Sequence, residues 1–548
     1  MATITGSEVL AQALGAQGVD TLFYLMGGPM LETEAACIQL GIRAIDTRHE
    51  QAAALAAHAW TRVTRRPGVC MGCSGPGTTN LVTGVANAFA DAAPVVAIGG
   101  SSPRVFLGME AFQEIDQVAI MRPVTKWAER IYDARRIPEL VATAFRQATT
   151  GRPGPVYLDL PGDTLGEKVE AESVVQPPAW RPAPRTLGDP GAVREAVALL
   201  ARAERPVILG GSGVWWSDGA AAFRALVEAT GIPFYTTPIS RGLIPEDHAL
   251  AFLNARSKAF AEADVVVAVG TRFNWMVQFG RPPRFAADLK VIHVDIDPAQ
   301  LGHNRAVDVP IAGDARAVLE QLHAEAEGKL DPRRWAAWTG KLRALDAEKS
   351  AEVDRAMSSD ATPIHPLRLC KEVRDFLRRD AILVVDGQEI LNYGRQAIPT
   401  FVAGHRLNSG AFGCMGVGLP FGVGAKVARP DAQVVVLHGD GSYGLNAMEI
   451  DTAVRHGIPV LVVISNNGGW TADAPWTRPL PKPGRNLGHT RYDKVAQELG
   501  AHGEYVEKPH EIRPALERAW ASGRPAVVNV ITDGKARAQT VRFSAYQT

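Results

Sequence analysis

The stretch Val434-Val435-Val436-Leu437-His438-Gly439-Asp440-Gly441 and the stretch Val460-Leu461-Val462-Val463-Ile464-Ser465-Asn466-Asn467 decide the fold of this chain. Each is an apolar run that ends in a short polar turn. The segment between them, 446–456, carries apolar residues at helical spacing and stops at Gly457 and Pro459. The predicted order is strand, Gly-rich turn, helix, strand and polar turn. In a parallel sheet both turns open at the carboxyl edge, where the ligands of doubly wound folds bind.

These two turns carry oxygen ligands that suit a magnesium ion, and glycines whose backbone N–H groups suit a diphosphate. Asp440 offers a carboxylate oxygen, and Asn467, 27 positions later, offers a neutral carbonyl oxygen; Mg²⁺ prefers such ligands and usually keeps substrate phosphates as well. The glycines beside Asp440 let backbone N–H groups approach a diphosphate. Two ordinary βα turns are the alternative. A Gly-Asp-Gly and an Asn-Asn at this spacing resemble the thiamine diphosphate (ThDP) binding signature, which implies ThDP and Mg²⁺ as cofactors.

The length and composition fit a globular protein of several domains. The chain has 548 residues, of which 46% are apolar, and room for about three domains. Lys+Arg and Asp+Glu both number 58, so the chain has no net positive charge that would attract nucleic acid or an anionic membrane. No stretch approaches the roughly 18 consecutive apolar residues of a membrane span, and the first residues show no export signal. We therefore expect a cytoplasmic enzyme with no nucleic-acid or membrane partner.

Apolar strand candidates alternate with helical stretches along the whole chain, which predicts an α/β protein of three doubly wound parallel-sheet domains. A Pro-rich linker separates the first two, and a charged helical stretch separates the last two. We place the domains at 1–175, 190–330 and 360–548. This plan resembles the pyrimidine-binding, central and diphosphate-binding domains of ThDP enzymes. The resemblance implies that the cofactor lies between the first domain of one subunit and the third domain of its partner, hence a homodimer at least, with a homotetramer expected.

Glu50 is the candidate for activating the cofactor. It follows Asp46-Thr47-Arg48-His49 and opens an alanine-rich helical stretch. In this context it matches the glutamate that, in ThDP enzymes, lies beside the pyrimidine ring nitrogen. The alternative is a glutamate that only stabilises the N-terminus of a helix.

The same resemblance assigns the other cofactor and substrate residues. The implied metal ligands are Asp440, Asn467 and the backbone carbonyl of Gly469. The implied diphosphate contacts are Gly387, Gln388, Gly441 and Ser442. Met415 would be the apolar wedge that bends the cofactor, and the Gly413 carbonyl would accept from its 4′-amino group. The residues expected to line the active site from the first domain are Pro76, Gly28, Phe112 and Gln113. Gln113 is also a candidate catalytic contact to the substrate; its alternative is a surface helix glutamine.

The central domain indicates a branch of the family. The segments 254–257, 270–275 and 279–285 resemble 2-hydroxyacyl-CoA lyases and oxalyl-CoA decarboxylases. Acetolactate synthases usually carry Asp residues where this chain has Asn274-Trp275, so we expect no FAD. Arginines clamp phosphates bidentately, and the candidates for binding coenzyme A (CoA) are Arg256, Arg272 and Arg284. Interdomain salt bridges are the alternative. A regulatory ADP pocket of the decarboxylases is matched only in part, because Ser212 stands near the position of its lysine.

The third domain completes the expected substrate site. Trp470 would border the acyl pocket, and Asp473 is the nearest candidate base for a 2-hydroxyl group. The leading expectation is a ThDP- and Mg²⁺-dependent lyase that cleaves short 2-hydroxyacyl-CoA thioesters, reversibly, to formyl-CoA and an aldehyde or ketone. The alternatives are oxalyl-CoA decarboxylation, acyloin chemistry like that of benzaldehyde lyase or acetolactate synthase, and a non-catalytic binding protein on the same fold.

Overall fold

The computed structural model of the protein describes residues 2–180, 184–470 and 483–538. Three α/β units follow one another along the chain, each around a parallel sheet, and the sheets have six, five and six strands. The predicted fold class is confirmed. Apolar runs such as 434–437 are buried on both faces of their sheet, which is why they do not alternate with polar residues.

The first domain has the strand order β3-β2-β4-β5-β7-β6, with the antiparallel pair β1-β8 beside it. Its strands are β1 Thr3–Thr5, β2 Thr21–Tyr24, β3 Arg43–Asp46, β4 Gly68–Gly72, β5 Val95–Ser101, β6 Ala128–Arg130, β7 Val156–Pro161 and β8 Lys168–Glu170. Its helices are α1 Gly6–Ala16, α2 Leu31–Gln39, α3 Glu50–Thr64, α4 Pro76–Asp91, α5 Gln117–Met121, α6 Ile137–Thr149 and α7 Gly162–Gly166.

The central domain has the strand order β10-β9-β11-β12-β13. Its strands are β9 Pro206–Gly210, β10 Phe234–Thr236, β11 Val265–Val269, β12 Lys290–Asp295 and β13 Val309–Ala312. Its helices are α8 Pro190–Leu200, α9 Ser212–Trp216, α10 Ala220–Thr230, α11 Arg256–Glu262 and α12 Ala315–Ala326. The long helix α13, Ala336–Met357, leads from this domain to the third.

The third domain has the strand order β15-β14-β16-β17-β19-β18. Its strands are β14 Ile382–Asp386, β15 Arg406–Leu407, β16 Val434–Gly439, β17 Leu461–Asn466, β18 His502–Val506 and β19 Ala526–Ile531. Its helices are α14 Pro366–Phe376, α15 Glu389–Ala397, α16 Gly418–Ala428, α17 Asp440–Leu445, α18 Glu449–Arg455, α19 Tyr492–Glu498 and α20 Ile512–Ala521.

The prediction of one helix over 446–456 is wrong in detail. Helix α17 begins at Asp440 itself, and α18 begins only at Glu449. The break falls at Asn446, whose side-chain amide donates to the Gly416 carbonyl (2.8 Å) instead of facing solvent. A tertiary hydrogen bond therefore interrupts a segment whose apolar spacing is helical.

The first and third domains share one apolar core, formed largely by α3 and α4 against α16. A buried ionic cluster lies at its edge: Arg62 pairs with Asp91 (3.4 Å) and donates to the Asn408 carbonyl (2.6 Å). The indole of Trp215, in the central domain, donates to the Arg62 carbonyl (3.0 Å). All three domains thus meet at Arg62. None of the helices in the described part of the chain has both the length and the apolar composition that a membrane-spanning helix needs.

Candidate active site

A cleft opens at the carboxyl ends of β14, β16 and β17, as the parallel sheet requires. It brings together most of the third-domain residues predicted from sequence. Its lining includes Gly387, Gln388, Met415, Asp440, Gly441, Ser442, Asn467, Gly469 and Trp470. Gly413 is not part of this lining. Asp533 and Ala536 close one side of the cleft.

Asp440 has the environment of a metal ligand. It is 2% exposed, and its Oδ2 atom has no hydrogen-bond partner. Burial raises the pKa of Asp440 to about 6, against the effect of backbone N–H groups that favour the ionised form. A buried oxygen without a partner is unusual in a folded protein, and a cation bound there would satisfy it.

The other oxygen atoms that could bind a metal at this site are uncharged. The side-chain oxygen of Asn467 accepts from the backbone N–H of Gly469 (3.3 Å). Gly469 has a φ of +149°, and a Cβ atom there would collide with the Arg485 carbonyl, so only glycine fits. No group of three or more His, Cys, Asp or Glu side chains is arranged to hold a metal in the described part of the chain. One carboxylate with amide and carbonyl oxygens fits Mg²⁺ that is also held by phosphate oxygens.

The floor of the cleft is formed by glycine backbone and a serine hydroxyl, which are groups that can bind a diphosphate. The ring of Trp470 covers Gly441 so closely that a Cβ atom would lie 2.9 Å from it. The Ser442 hydroxyl donates to the Gly439 carbonyl (3.0 Å) and lies 3.1 Å from Nδ1 of the buried His438. ThDP therefore fits the residues present, and when bound it would supply the electron sink for carbon–carbon bond chemistry.

Asp386 shapes this cleft and escaped the sequence analysis. Its carboxylate accepts from the backbone N–H of Gly418 (2.9 Å) and receives further backbone N–H groups from Gly387, Gly416 and Val417. Burial raises its pKa to about 6. The carboxylate thereby ties the loop that carries Met415 to the end of β14. An aspartate at the last position of a buried strand was the available signal.

Glu50 lies at the carboxyl edge of the first sheet as the first residue of α3. It is 5% exposed. Its Oε2 accepts from the side-chain amide of Asn80 (2.9 Å), and its Oε1 faces Gly77, where a Cβ atom would lie 3.3 Å away. Pro76 begins α4 just beside it.

The predicted substrate residues of the first domain gather around Ser74 and Gly75. The Ser74 hydroxyl donates to the side-chain oxygen of Gln113 (2.6 Å) and also contacts the Gly28 carbonyl (3.2 Å). Gln113 lies in a turn with a φ of +60°, not in a helix. Phe112 beside it is 87% exposed. This loop is therefore held against α4 while its aromatic ring projects outward.

Gln117 anchors this turn and was not among the predicted residues. It is 1% exposed. Its side-chain oxygen accepts from the backbone N–H of Gly75, and its amide donates to the Gly100 carbonyl (2.8 Å) and to Asp159 (3.0 Å). Sequence gave no signal for it, because the partners lie on three separate elements.

In the described part of the chain, the two halves of the predicted site have separate surroundings. The cleft is lined by third-domain residues only, whereas the described contacts of Glu50 are to the first domain. The domains nevertheless touch nearby: the backbone N–H of Arg48 donates to Glu449 (3.1 Å), and Asp46 pairs with His456 (2.6 Å). Asp473 lies outside the described residues, as does the end of the tail from residue 539 onward.

Two of the three predicted CoA arginines lie together. Arg256 and Arg284 both stack on Phe260, at 5.3 and 5.8 Å from the ring centre. Burial, then the nearby charges of Arg284 and Arg395, lowers the pKa of Arg256 to about 9. Arg272 lies elsewhere and donates to the Ala90 carbonyl at the end of α4, in the neighbourhood of Arg152.

The hydrogen-bond partners of this arginine group are neutral. Arg256 donates to the Thr236 carbonyl (3.0 Å), Arg284 to the Ser257 hydroxyl (2.7 Å) and Arg395 to Asn392 (2.9 Å). The Nε atom of Arg256 is buried with no partner. Arg256 and Arg284 are partly buried and Arg395 is exposed, and their hydrogen bonds go to no carboxylate, so the group suits an anion. Among the described residues, neither Arg256 nor Arg284 forms an interdomain salt bridge, which was the alternative weighed from sequence.

Comparisons with known proteins match each domain separately and the chain as a whole. The model for the N-terminal TPP binding domain of thiamine pyrophosphate enzymes matches residues 4–120, the central-domain model 193–322 and the C-terminal TPP binding domain model 392–530. Acetolactate synthase large subunit IlvG of Mycobacterium tuberculosis is 40% identical, over 97% of this chain and 96% of its own. The 2-hydroxyacyl-CoA lyase 1 of Mus musculus is 34% identical, over 97% and 94% of the two chains.

Oxalyl-CoA decarboxylase of Escherichia coli K12 is 33% identical, over 96% of this chain and 95% of its own. Overall identity is thus higher to the acetolactate synthase than to either CoA enzyme, whereas the central-domain segments led us to expect the reverse. From the three matched domains and these full-length relatives, the chain belongs to the thiamine pyrophosphate enzyme family and is a ThDP-dependent enzyme of the decarboxylase, lyase and carboligase type.

Proposed function

We propose that this protein is a ThDP- and Mg²⁺-dependent carbon–carbon lyase for short 2-hydroxyacyl-CoA thioesters. It would release formyl-CoA and an aldehyde or ketone, and it would also catalyse the reverse condensation. The observation that carries this proposal is the arginine group of Arg256, Arg284 and Arg395, whose hydrogen-bond partners are all neutral.

The position of this group relative to the cleft supports a CoA substrate. Helix α15 starts at Glu389, which lines the cleft, and carries Arg395 in its last turn. At about 1.5 Å per residue, the two positions are ~9 Å apart along the helix. Coenzyme A has its thioester at one end and its phosphates at the other, joined by a flexible arm. Phosphates on the arginines therefore leave the thioester able to reach the cleft.

Each group of site residues would then have a separate role in binding the cofactor or the substrate. Asp440, Asn467 and the Gly469 carbonyl would hold Mg²⁺, and Ser442 with the glycines beside it would hold the diphosphate. Glu50 would exchange a proton with the pyrimidine ring nitrogen. Trp470 and Phe112 would border the acyl group and keep water away from it.

We further propose that the active form contains two copies of the chain. The support is that the cleft and Glu50 have separate surroundings within one chain. The loop before Gln113 also exposes large apolar side chains, which a partner subunit would cover. They are Val105, Phe106, Met109 and Phe112.

A second candidate function is acyloin formation from free 2-oxo acids. It is favoured by the 40% identity to an acetolactate synthase over nearly the full length of both chains. The two functions differ in one requirement, since only the lyase needs the CoA moiety.

The test is mass-spectrometric detection of formyl-CoA from short 2-hydroxyacyl-CoA substrates, with ThDP and Mg²⁺ present. In the double variant Arg256→Gln/Arg284→Gln we expect KM for the CoA thioester to rise by roughly tenfold or more with little change in kcat, because charge-assisted hydrogen bonds are lost. A pantetheine thioester, which lacks the phosphates, should react equally with both proteins. Arg224→Gln, an exposed arginine of the same domain paired with Glu228, is the control.

Absence of formyl-CoA with the cofactor shown to be bound, together with a condensation product from free 2-oxo acids, would replace the lyase by the acyloin function. An unchanged KM in the double variant would remove the arginines from the substrate site.

A further inference from the structure

The two carboxylate oxygens of Glu50 have different surroundings. Oε2 accepts a hydrogen bond from Nδ2 of Asn80 (2.9 Å). Oε1 faces Gly77, where a Cβ atom would lie 3.3 Å from this oxygen and 2.5 Å from Sγ of Cys73. One oxygen is therefore held by a side-chain hydrogen bond, whereas the other faces the Gly77 backbone.

This asymmetry follows from how α3 and α4 pack. Glu50 is the first residue of α3, behind the N-cap His49, and Asn80 lies one turn into α4. The helices approach closely because Gly84 of α4 lies against Ala54 of α3, where a Cβ atom on Gly84 would be 2.5 Å from the Ala54 methyl. The distance between Asn80 and Glu50 is thus set by rigid elements and not by a loop.

We propose that Asn80 is a positioning residue that orients the Glu50 carboxylate, so that Oε1 is the oxygen that exchanges a proton with the cofactor. A neutral amide fixes the carboxylate without adding a positive charge beside it. Orientation of an acid or base in advance removes part of the entropic cost of proton transfer. The proposal rests on ThDP binding and is independent of whether the substrate carries CoA.

The test measures hydrogen–deuterium exchange at the thiazolium C2 of bound ThDP, in holoenzyme without substrate. Asn80→Leu removes the donor at similar size, and we expect exchange to slow about tenfold, the scale of one hydrogen bond to a charged group. The dissociation constant of ThDP, measured calorimetrically, should change less than threefold. Thr83→Ala, an exposed position further along α4, is the matched control and should exchange at the wild-type rate.

A double-mutant cycle with Glu50→Gln separates positioning from a structural role. If Asn80 acts through Glu50, Asn80→Leu slows exchange in the wild-type background and has no further effect in the Glu50→Gln background. Equal slowing in both backgrounds, or no slowing in either, overturns the proposal.

Asn80→Asp keeps the shape of the side chain and covers the case in which Asn80→Leu does not fold. Its carboxyl group donates a hydrogen bond only when protonated. We expect its exchange rate, relative to wild type, to fall as the pH rises. A ratio that stays constant with pH would contradict the proposal.

Discussion

Glu50 and Asp440 are the two residues to which we assign the roles on which cofactor function would depend. Glu50→Gln should retain the fold but lose turnover by roughly two orders of magnitude or more, as the loss of an acid–base group usually does. The measurement is kcat with saturating ThDP and Mg²⁺, and thermal stabilisation by the cofactor serves as the control for binding. Near-normal turnover would remove Glu50 from catalysis.

Glu34 gives a residue-scale prediction about pH and stability. It is 4% exposed, and its Oε1 has no hydrogen-bond partner. Burial, and secondarily the charge of Asp46, raises its pKa to about 7 from an ordinary 4.5. The folded protein therefore keeps this proton where the unfolded chain releases it. The stability that Glu34 contributes is complete below about pH 4.5 and is lost as the pH rises through 7.

Glu34→Gln should accordingly become more stable relative to wild type as the pH increases from 5 to 8. Urea unfolding at several pH values measures the difference. Glu32→Gln, at an exposed position of the same helix, is the control. A difference between Glu34→Gln and wild type that does not change with pH would contradict the cause given for the shift.

At the scale of single residues, the sequence indicated which residues line the cleft, but it did not indicate the buried residues that hold the surrounding loops in place. Asp440, Asn467 and Gly469 come together because each follows a strand of one parallel sheet, a relation that spacing along the chain reveals. Asp386 and Gln117 act through backbone N–H groups on other elements. Their partners depend on tertiary packing, which no local pattern encodes.

Single side chains also link elements, and Gln117 at the start of α5 is the clearest case. Gln117→Leu would leave the buried Gly75 N–H without its hydrogen-bond partner, at a cost of about 1–3 kcal/mol. We expect a lower melting temperature and a kcat/KM reduced about tenfold, because the Ser74–Gly75 turn that holds Gln113 would shift. A variant with normal kcat/KM would show that this turn does not need Gln117.

Element boundaries were predicted less accurately than element types. The alternation of strands and helices was correct along the chain, since buried parallel strands and amphipathic helices have distinct patterns. The break between α17 and α18 was missed because the side chain of Asn446 bonds to the distant Gly416 carbonyl. The turn around Gln113 was weighed as a surface helix and has a left-handed backbone instead.

The whole molecule provides a test of the proposed dimer. Glu50→Gln and Asp440→Ala each disable one half of every site. When the two variants are co-expressed, a mixed dimer built across subunits contains one site with both natural halves. About a quarter of wild-type activity is then expected from random pairing, since half of the dimers are mixed and each has one intact site. Activity no higher than that of either variant alone would show that the site lies within one chain.

Domain order was predictable from sequence, but the grouping of the arginines was not. Arg272 looked equivalent to Arg256 and Arg284 along the chain, yet it caps the end of α4. Arg395 was not considered, because it belongs to the third domain and joins the central-domain pair only in the folded molecule.

Helix α15 has one further consequence for the proposed function. Its first residue borders the cleft and its last turn carries Arg395. In the proposed function its length would therefore set the distance between the reacting carbon and the bound phosphates. The length of the helix would then select thioesters by the length of the arm between the phosphates and the thioester. It would not select them by the size of the acyl group. Insertion of one helical turn, about 5.4 Å, into α15 would therefore change which length of carrier arm places the thioester in the cleft.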